Sequence, residues 1–354
     1  MNELPLNVFS GKWGNCHCQG ITVDTKGNYM YYSFTTKLIK TDLQGKIIGS
    51  VNGIMGHLGC IDFNDRDGKV YASLEYKNDN IGREILDNLD AKNIKFEDSF
   101  YIAIFDVDKI TELDMSADSC GIMKVVYLKE VVDDYNADVE NCGITVKHRY
   151  GCSGIDGLAI GPDFGKLKGS KYFLFVCYGI YNDVNRNDNN YQVILQFDID
   201  NWGKYAKSIN QYNMHYDGPA KPDNKYFIYT GNTTFGIQNL EYDEYTDKYF
   251  MAVYKGAKEE FTNFSMFIID RSKEAVEKDL KDYKENALVL SLANMGQEGK
   301  NNIYGSYFMY GSTGMYSFGN GYYYFSHNGH DGIDQFTNVK LYKYVGGTNI
   351  FELI

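Results

Sequence analysis

One short pattern returns along this chain and constrains its fold more than any other feature: an apolar stretch that closes on an acidic or polar residue. It reads LIKTD at 38–42, IAIFD at 102–106, VILQFD at 193–198 and MFIID at 266–270, with KLYKY at 340–344 as a weaker fifth copy. Upstream of each copy stands an aromatic, β-branched segment: YMYYSF (29–34), VYASLEY (70–76), KYFLFVCY (171–178), KYFMAVY (248–254) and GYYYFSH (321–327). Such segments fit a pleated, buried surface. Each is preceded by turn chemistry, in Lys26-Gly27-Asn28, Asp67-Gly68, Gly161-Pro162-Asp163, Thr246-Asp247 and Gly319-Asn320-Gly321, residues that accept positive φ or nucleate turns. Fourth strands are predicted at 47–51, 123–128, 225–230, 288–292 and 349–353.

The repeating unit is therefore four antiparallel strands. First strands starting near 17, 57, 154, 236 and 312 give intervals of 40, 97, 82 and 76 residues. Four-stranded units in tandem predict an all-β chain, a five-bladed β-propeller spanning 1–354 as a single domain, because radial repetition hides most sheet edges. The 97-residue interval leaves room for a sixth blade. Helical periodicity in 81–93 and in the charged segment 272–287 predicts two helical insertions.

Composition excludes several function classes. Lys plus Arg number 35 against 47 Asp plus Glu, a net charge of −12, and no basic block offers a footprint for nucleic acid or an anionic membrane. Much of the negative charge falls in 84–98 and 129–140, where it serves solubility. Seven cysteines, an odd number with no CxxC pair, fit a reducing compartment and predict a cytoplasmic protein, or a secreted one if a signal peptide has been removed. GxGxxG, GxxxxGK[ST] and GxSxG are absent, and GCSG at 151–154 lacks the closing glycine. A thiol mechanism is disfavoured because Cys16 and Cys18 alternate with His17 along an extended strand.

Propeller topology makes a geometric prediction about a site. First strands begin, and second strands end, around one mouth of the central channel. His17, His57 and His327, three of only six histidines, fall at such positions. Converging imidazoles suit a divalent cation (calcium, manganese or zinc), with carboxylate companions. Glu75 and Asp156 form a candidate acid and base pair, and Lys255 a candidate for stabilising developing negative charge. Gln19, Tyr76, Tyr178, Gln238, Tyr254 and Ser312 are the candidate substrate-binding residues, the tyrosines for stacking on sugar rings. The run from Asp183 to Asp188 places oxygen side chains at alternate positions like half a calcium loop, but without the turn glycine or distal glutamate it reads as a hydrated polar loop.

The segments HCQGITVD (17–24), GKVYASLEYK (68–77), GIDGLAIGPD (154–163), NTTFGIQNLEYD (232–243) and YGSTGMYSFGNGYYYFSHNG (310–329) resemble those of uncharacterised bacterial β-propeller proteins. The resemblance covers most of the chain and implies the fold, without a reaction. By analogy, five-bladed propellers include furanosidase-type glycosidases, tachylectin-type lectins and calcium-dependent apyrases. This chain shows neither the acidic triad of the first nor the ring of glutamates and serines of the last. The expected function is a hydrolase on a small carbohydrate or related ester at the channel mouth. The alternatives are a lectin-like or protein-interaction propeller and a metal-dependent carbohydrate lyase; the expected partner is a small-molecule or glycan ligand, with no nucleic acid and no membrane.

Overall fold

Residues 4–119, 121–281 and 283–354 are described by a computed structural model, leaving Cys120 and Asp282 among the residues outside it. Blade 1 is built from Cys18–Asp24, Tyr29–Phe34, Lys37–Asp42 and Ile47–Asn52. Blade 2 uses His57–Asn64, Lys69–Tyr76, Ser99–Phe105 and Met123–Tyr127, and blade 3 uses Cys152–Pro162, Tyr172–Ile180, Tyr191–Phe197 and Asn224–Tyr229. All these neighbours pair antiparallel. Blade 4 has Thr234–Asp243, Lys248–Tyr254 and Met266–Ile269, and blade 5 has Met315–Ser317, Tyr322–Asp331 and Asp334–Tyr344. The five first strands touch in cyclic order, the last returning to the first. The fold is a five-bladed β-propeller.

Both ends of the chain close the ring. Asn7–Phe9 and Phe351–Leu353 lie one after the other along the same edge of Asp334–Tyr344, with Val8 opposite Val339 and Phe351 opposite Tyr344. Blades are glued by aromatics on both faces of each sheet. Tyr31 stacks on Phe63 of blade 2, its neighbour Tyr32 turns to the cluster shared with Tyr324 of blade 5, and the Tyr249 hydroxyl of blade 4 donates to the Pro162 carbonyl of blade 3. Adjacent residues of one strand thus serve opposite interfaces, as the two-residue period requires.

Three expectations are corrected. No sixth blade occupies the long interval: beyond blade 2 the chain forms helix α2 (Lys129–Tyr135) and a two-stranded hairpin, Asp138–Asn141 with Ile144–Lys147. The segment 272–287 is not a helix. Val276–Asp279 pairs antiparallel with Asn286–Val289, and this hairpin extends blade 3 through a parallel pairing of Tyr226 with Leu288. Its outer strand is fully exposed and charged, which blunts the sheet edge. The expected fourth strand of blade 4 at 288–292 is consequently divided: its first half joins blade 3, while Leu292 makes a single bridge to Ile269.

The other insertion is helical. Helix α1, numbered first in the chain, spans Asn80–Asn88, and the Asp79 side chain caps it by accepting from the Gly82 N–H at 2.8 Å. Asp79→Ala is expected to weaken α1 by about 1 kcal/mol. Faster amide exchange confined to residues 80–88 is the measurement that checks this. Among the described residues no helix is long and apolar enough to cross a membrane.

Candidate functional site

The predicted mouth holds a cavity of about 410 Å³. Four blades line it with equivalent positions. Blade 1 supplies His17 and Gln19, blade 2 His57, Glu75 and Lys77, blade 3 Ser153, Asp156 and Tyr181, and blade 4 Phe235, Gln238 and Tyr254. Helix α1 covers one side with Ile81, Glu84 and Ile85.

Glu75 is the hub. One carboxylate oxygen lies 2.6 Å from Lys77 Nζ and the other accepts from the Ile155 N–H at 3.1 Å, joining blade 2 to blade 3. Lys77, only 8% exposed, also reaches the Ser153 carbonyl at 3.0 Å and Asp79 at 3.5 Å. Burial works against its charge, but Glu75 and Asp79 outweigh burial and hold the ammonium above its ordinary pKa. Burial raises Glu75, with Lys77 and the Ile155 N–H opposing the rise. Gly154 is required here: its φ is +126°, and a Cβ would collide with the Glu75 carboxylate.

Asp156 stands in the same cavity in a different state. Its side chain accepts from Gln238 Nε2 at 3.0 Å, and its main-chain carbonyl accepts from Ser73 Oγ at 2.6 Å. Burial, reinforced by the charge of Glu75, pushes its carboxyl up to about 8, against the pull of Lys77 and Gln238. The net effect favours the neutral form of Asp156 more than that of Glu75, which is ion-paired with Lys77.

Gln19 organises the two histidines. Its Nε2 lies 3.0 Å from His17 Nε2 and 3.2 Å from His57 Nε2. Burial lowers the pKa of both rings, that of His57 to about 3 with Lys77 contributing, so both are neutral. The amide N–H groups donate to both Nε2 atoms, which leaves the ring protons on Nδ1. His57 Nδ1–H is then a buried donor with no hydrogen-bond partner among the described residues, 3.9 Å from the nearer Glu75 oxygen and so beyond bonding distance. A ligand hydroxyl placed between the two would satisfy both.

Of the expected residues, His17, Gln19, His57, Glu75, Asp156, Gln238 and Tyr254 meet in the cavity. The rest do not. Tyr76 alternates to the far side of its strand, where its hydroxyl donates to Gln211 Oε1 at 2.9 Å. Tyr178 is fully buried with its hydroxyl on Asp134 Oδ2 at 2.7 Å. Neither is the exposed stacking surface expected. Lys255 points outside, its ammonium 6.0 Å from the Tyr307 ring centre, and Ser312 borders a neighbouring hollow. His327 is stacked on Tyr310 at 3.4 Å and hydrogen-bonded through Nε2 to the Tyr342 hydroxyl, away from the other two histidines. Among the described residues no group of three or more His, Cys, Asp or Glu side chains is arranged to hold a metal ion. The loop from Asp183 to Asp188 is tied up by its own bonds: Asp183 accepts from the Asn185 N–H, and a buried Arg186–Asp188 pair closes at 2.7 Å.

Asp79 and Phe235 were not expected at the mouth; Lys77 and Ser153 stand at strand ends expected there but were assigned no role, and Tyr181 is one of the tyrosines expected near the mouth. For Lys77 and Asp79 a signal existed: Glu75, Lys77 and Asp79 alternate with period two along chain leaving the strand, so all three side chains share the side that faces the cavity.

No protein-family model and no curated protein matches the chain. Among solved structures it is similar to the holo form of the pyranose dehydrogenase PQQ domain from Coprinopsis cinerea, at 11% identity and a TM-score of 0.35, covering 91% of this chain and 81% of that one. It is also similar to Kuenenia stuttgartiensis hydrazine synthase, at 11% identity and a TM-score of 0.37, covering 87% and 80%.

Proposed function

We propose that the mouth cavity is the active site of a hydrolase acting on a small carbohydrate or related ester. The observation that carries this reading is two carboxyl groups in different environments of one cavity: Glu75 is ion-paired with Lys77 at 2.6 Å, while Asp156 has a neutral amide, Gln238, as its side-chain partner and is pushed up to about 8 by burial and the charge of Glu75. Asp156 serves as general acid toward the leaving-group oxygen, and Glu75 orients and activates water. His57 Nδ1–H, Gln19 and Gln238 supply hydrogen bonds to substrate hydroxyls. The cavity's volume falls within the ~300–1,000 Å³ of small-molecule sites.

A panel of chromogenic aryl glycosides and aryl esters tests the reading. With the best substrate, Glu75→Gln is expected to lower kcat/KM by roughly 10²-fold or more. The rate of the wild-type protein should fall as pH rises through about 8, because a general acid must hold its proton. Turnover that survives both Glu75→Gln and Asp156→Asn overturns the assignment. Stoichiometric binding at one site per chain without turnover would make the cavity a carbohydrate-binding site and the protein lectin-like.

A further inference from the structure

Beside the cavity, between blades 4 and 5, a second and more open hollow of about 560 Å³ lies on the same face. Tyr254 borders both hollows, with Ser312 lining the second. Their chemistry differs. The cavity holds Glu75, Asp79, Glu84 and Asp156, whereas among the described residues the hollow has no acidic side chain and a single cation, Lys255. Its wall alternates along 307–310. Phe308 turns inward against Phe325 and Phe351, and Tyr310 inward onto His327, while Tyr307 and Met309 face water at 53% and 79% exposure. Tyr307 is held in place, its hydroxyl donating to the Thr262 carbonyl at 2.8 Å and its ring resting on Phe264.

We infer that this hollow is a second subsite, which binds the further rings of the same neutral carbohydrate chain whose terminal ring enters the cavity. The inference rests on the carbohydrate reading of the cavity. A sugar ring has polar edges and an apolar C–H face. The polar groups of the cavity suit the edges, and a fixed aromatic ring beside an exposed thioether suits the face. Because Tyr307 is already immobilised, binding a ring against it costs little further ordering. Continuity across Tyr254 makes the occupant part of the same ligand.

The test titrates the full-length protein calorimetrically with gluco-, manno-, galacto- and xylo-oligosaccharides of one to four rings. In the best-bound series, affinity should rise ~3- to 10-fold from one ring to three, the range of a stacked aromatic contact. Tyr307→Ala and Tyr307→Ala/Met309→Ser should lose that gain while binding the single ring unchanged. Met309→Ser alone, at a side chain 79% exposed, should lose part of it with an unchanged melting temperature. A gain that persists in the double variant, or a wild type indifferent to length, overturns the subsite. Saccharides that bind with the length gain but are never cleaved overturn the hydrolase and leave the two-part site standing. A panel in which nothing binds overturns both.

Discussion

Asp156→Asn is expected to lower turnover by ~10²- to 10⁴-fold, the usual contribution of a general acid, and at the same time to stabilise the fold at pH 8. The second effect follows from linkage. The carboxyl holds its proton to about 8 in the native protein and to the ordinary 3.8 in the unfolded chain. Between those values the native state binds more protons, so stability falls as pH rises, by at most ~1.4 kcal/mol per unit. The native-state advantage is fully present below the unfolded value and is lost as pH rises through about 8. An asparagine does not titrate and carries no such slope. The variant should therefore lie close to wild type near pH 5 and exceed it by roughly 3 kcal/mol at pH 8, less than the full linkage value because Glu75 and Lys77 readjust. Urea unfolding of both proteins from pH 5 to 8 measures the difference. A gap that does not widen with pH would mean that Asp156 is already ionised in the native state. Under the proposed role, the cost of Asp156 to stability at working pH is the ordinary trade between activity and stability.

The fold was legible because its signals are local and repeated. A two-residue period of aromatics is written into each blade and a turn of positive φ into four, and the copies correct one another's ambiguities; in blade 3 Gly161 and Pro162 stay in the strand and the positive-φ glycines are Gly165 and Gly169. The segment 272–287 had no such redundancy. Val276, Leu280, Tyr283 and Ala287 have helical spacing, yet that spacing also suits a hairpin whose tip tucks under blade 3. There Leu280 is buried and the Tyr283 hydroxyl donates to Asp188 at 3.0 Å. The site was legible wherever strand ends sit at the mouth, since topology alone places His57, Glu75, Asp156 and Gln238 there. It failed for Tyr76 and Tyr178, where alternation turns the side chain away from the cavity. It failed for His327 because blade 5 is irregular. Its first strand is only Met315–Ser317, while its second runs on to Asp331, so His327 pairs with Asn338 in mid-strand instead of standing at a strand end. Topology also places Lys77 at the mouth, but nothing in the sequence shows that a lysine just past a strand is buried against a carboxylate, so it was given no role.

Lys77→Met is expected to cost ~3–5 kcal/mol of stability at pH 7, because it leaves a buried carboxylate without its cation. Lys77 and Glu75 side chains are 8% and 5% exposed, so water replaces little of the lost charge. With only the Ile155 N–H to hold it, the Glu75 carboxyl rises further above its ordinary pKa. A raised carboxyl stabilises the native state when protonated and loses that contribution as pH rises, so the deficit of the variant should be smallest at pH 5 and largest at pH 8. The double variant Glu75→Gln/Lys77→Met carries neither charge and should recover at least about half of the loss, a coupling that a double-mutant cycle in urea unfolding reads directly. Equal losses in the single and double variants would mean that Lys77 acts through the packing of its methylenes. The same substitution reaches the chemistry. Lys77 lowers the pKa of Asp156, so its removal should move the alkaline limb of the rate profile above pH 8. A variant less stable throughout, yet with its limb unmoved, would separate the two roles and leave Lys77 as a structural partner of Glu75 alone.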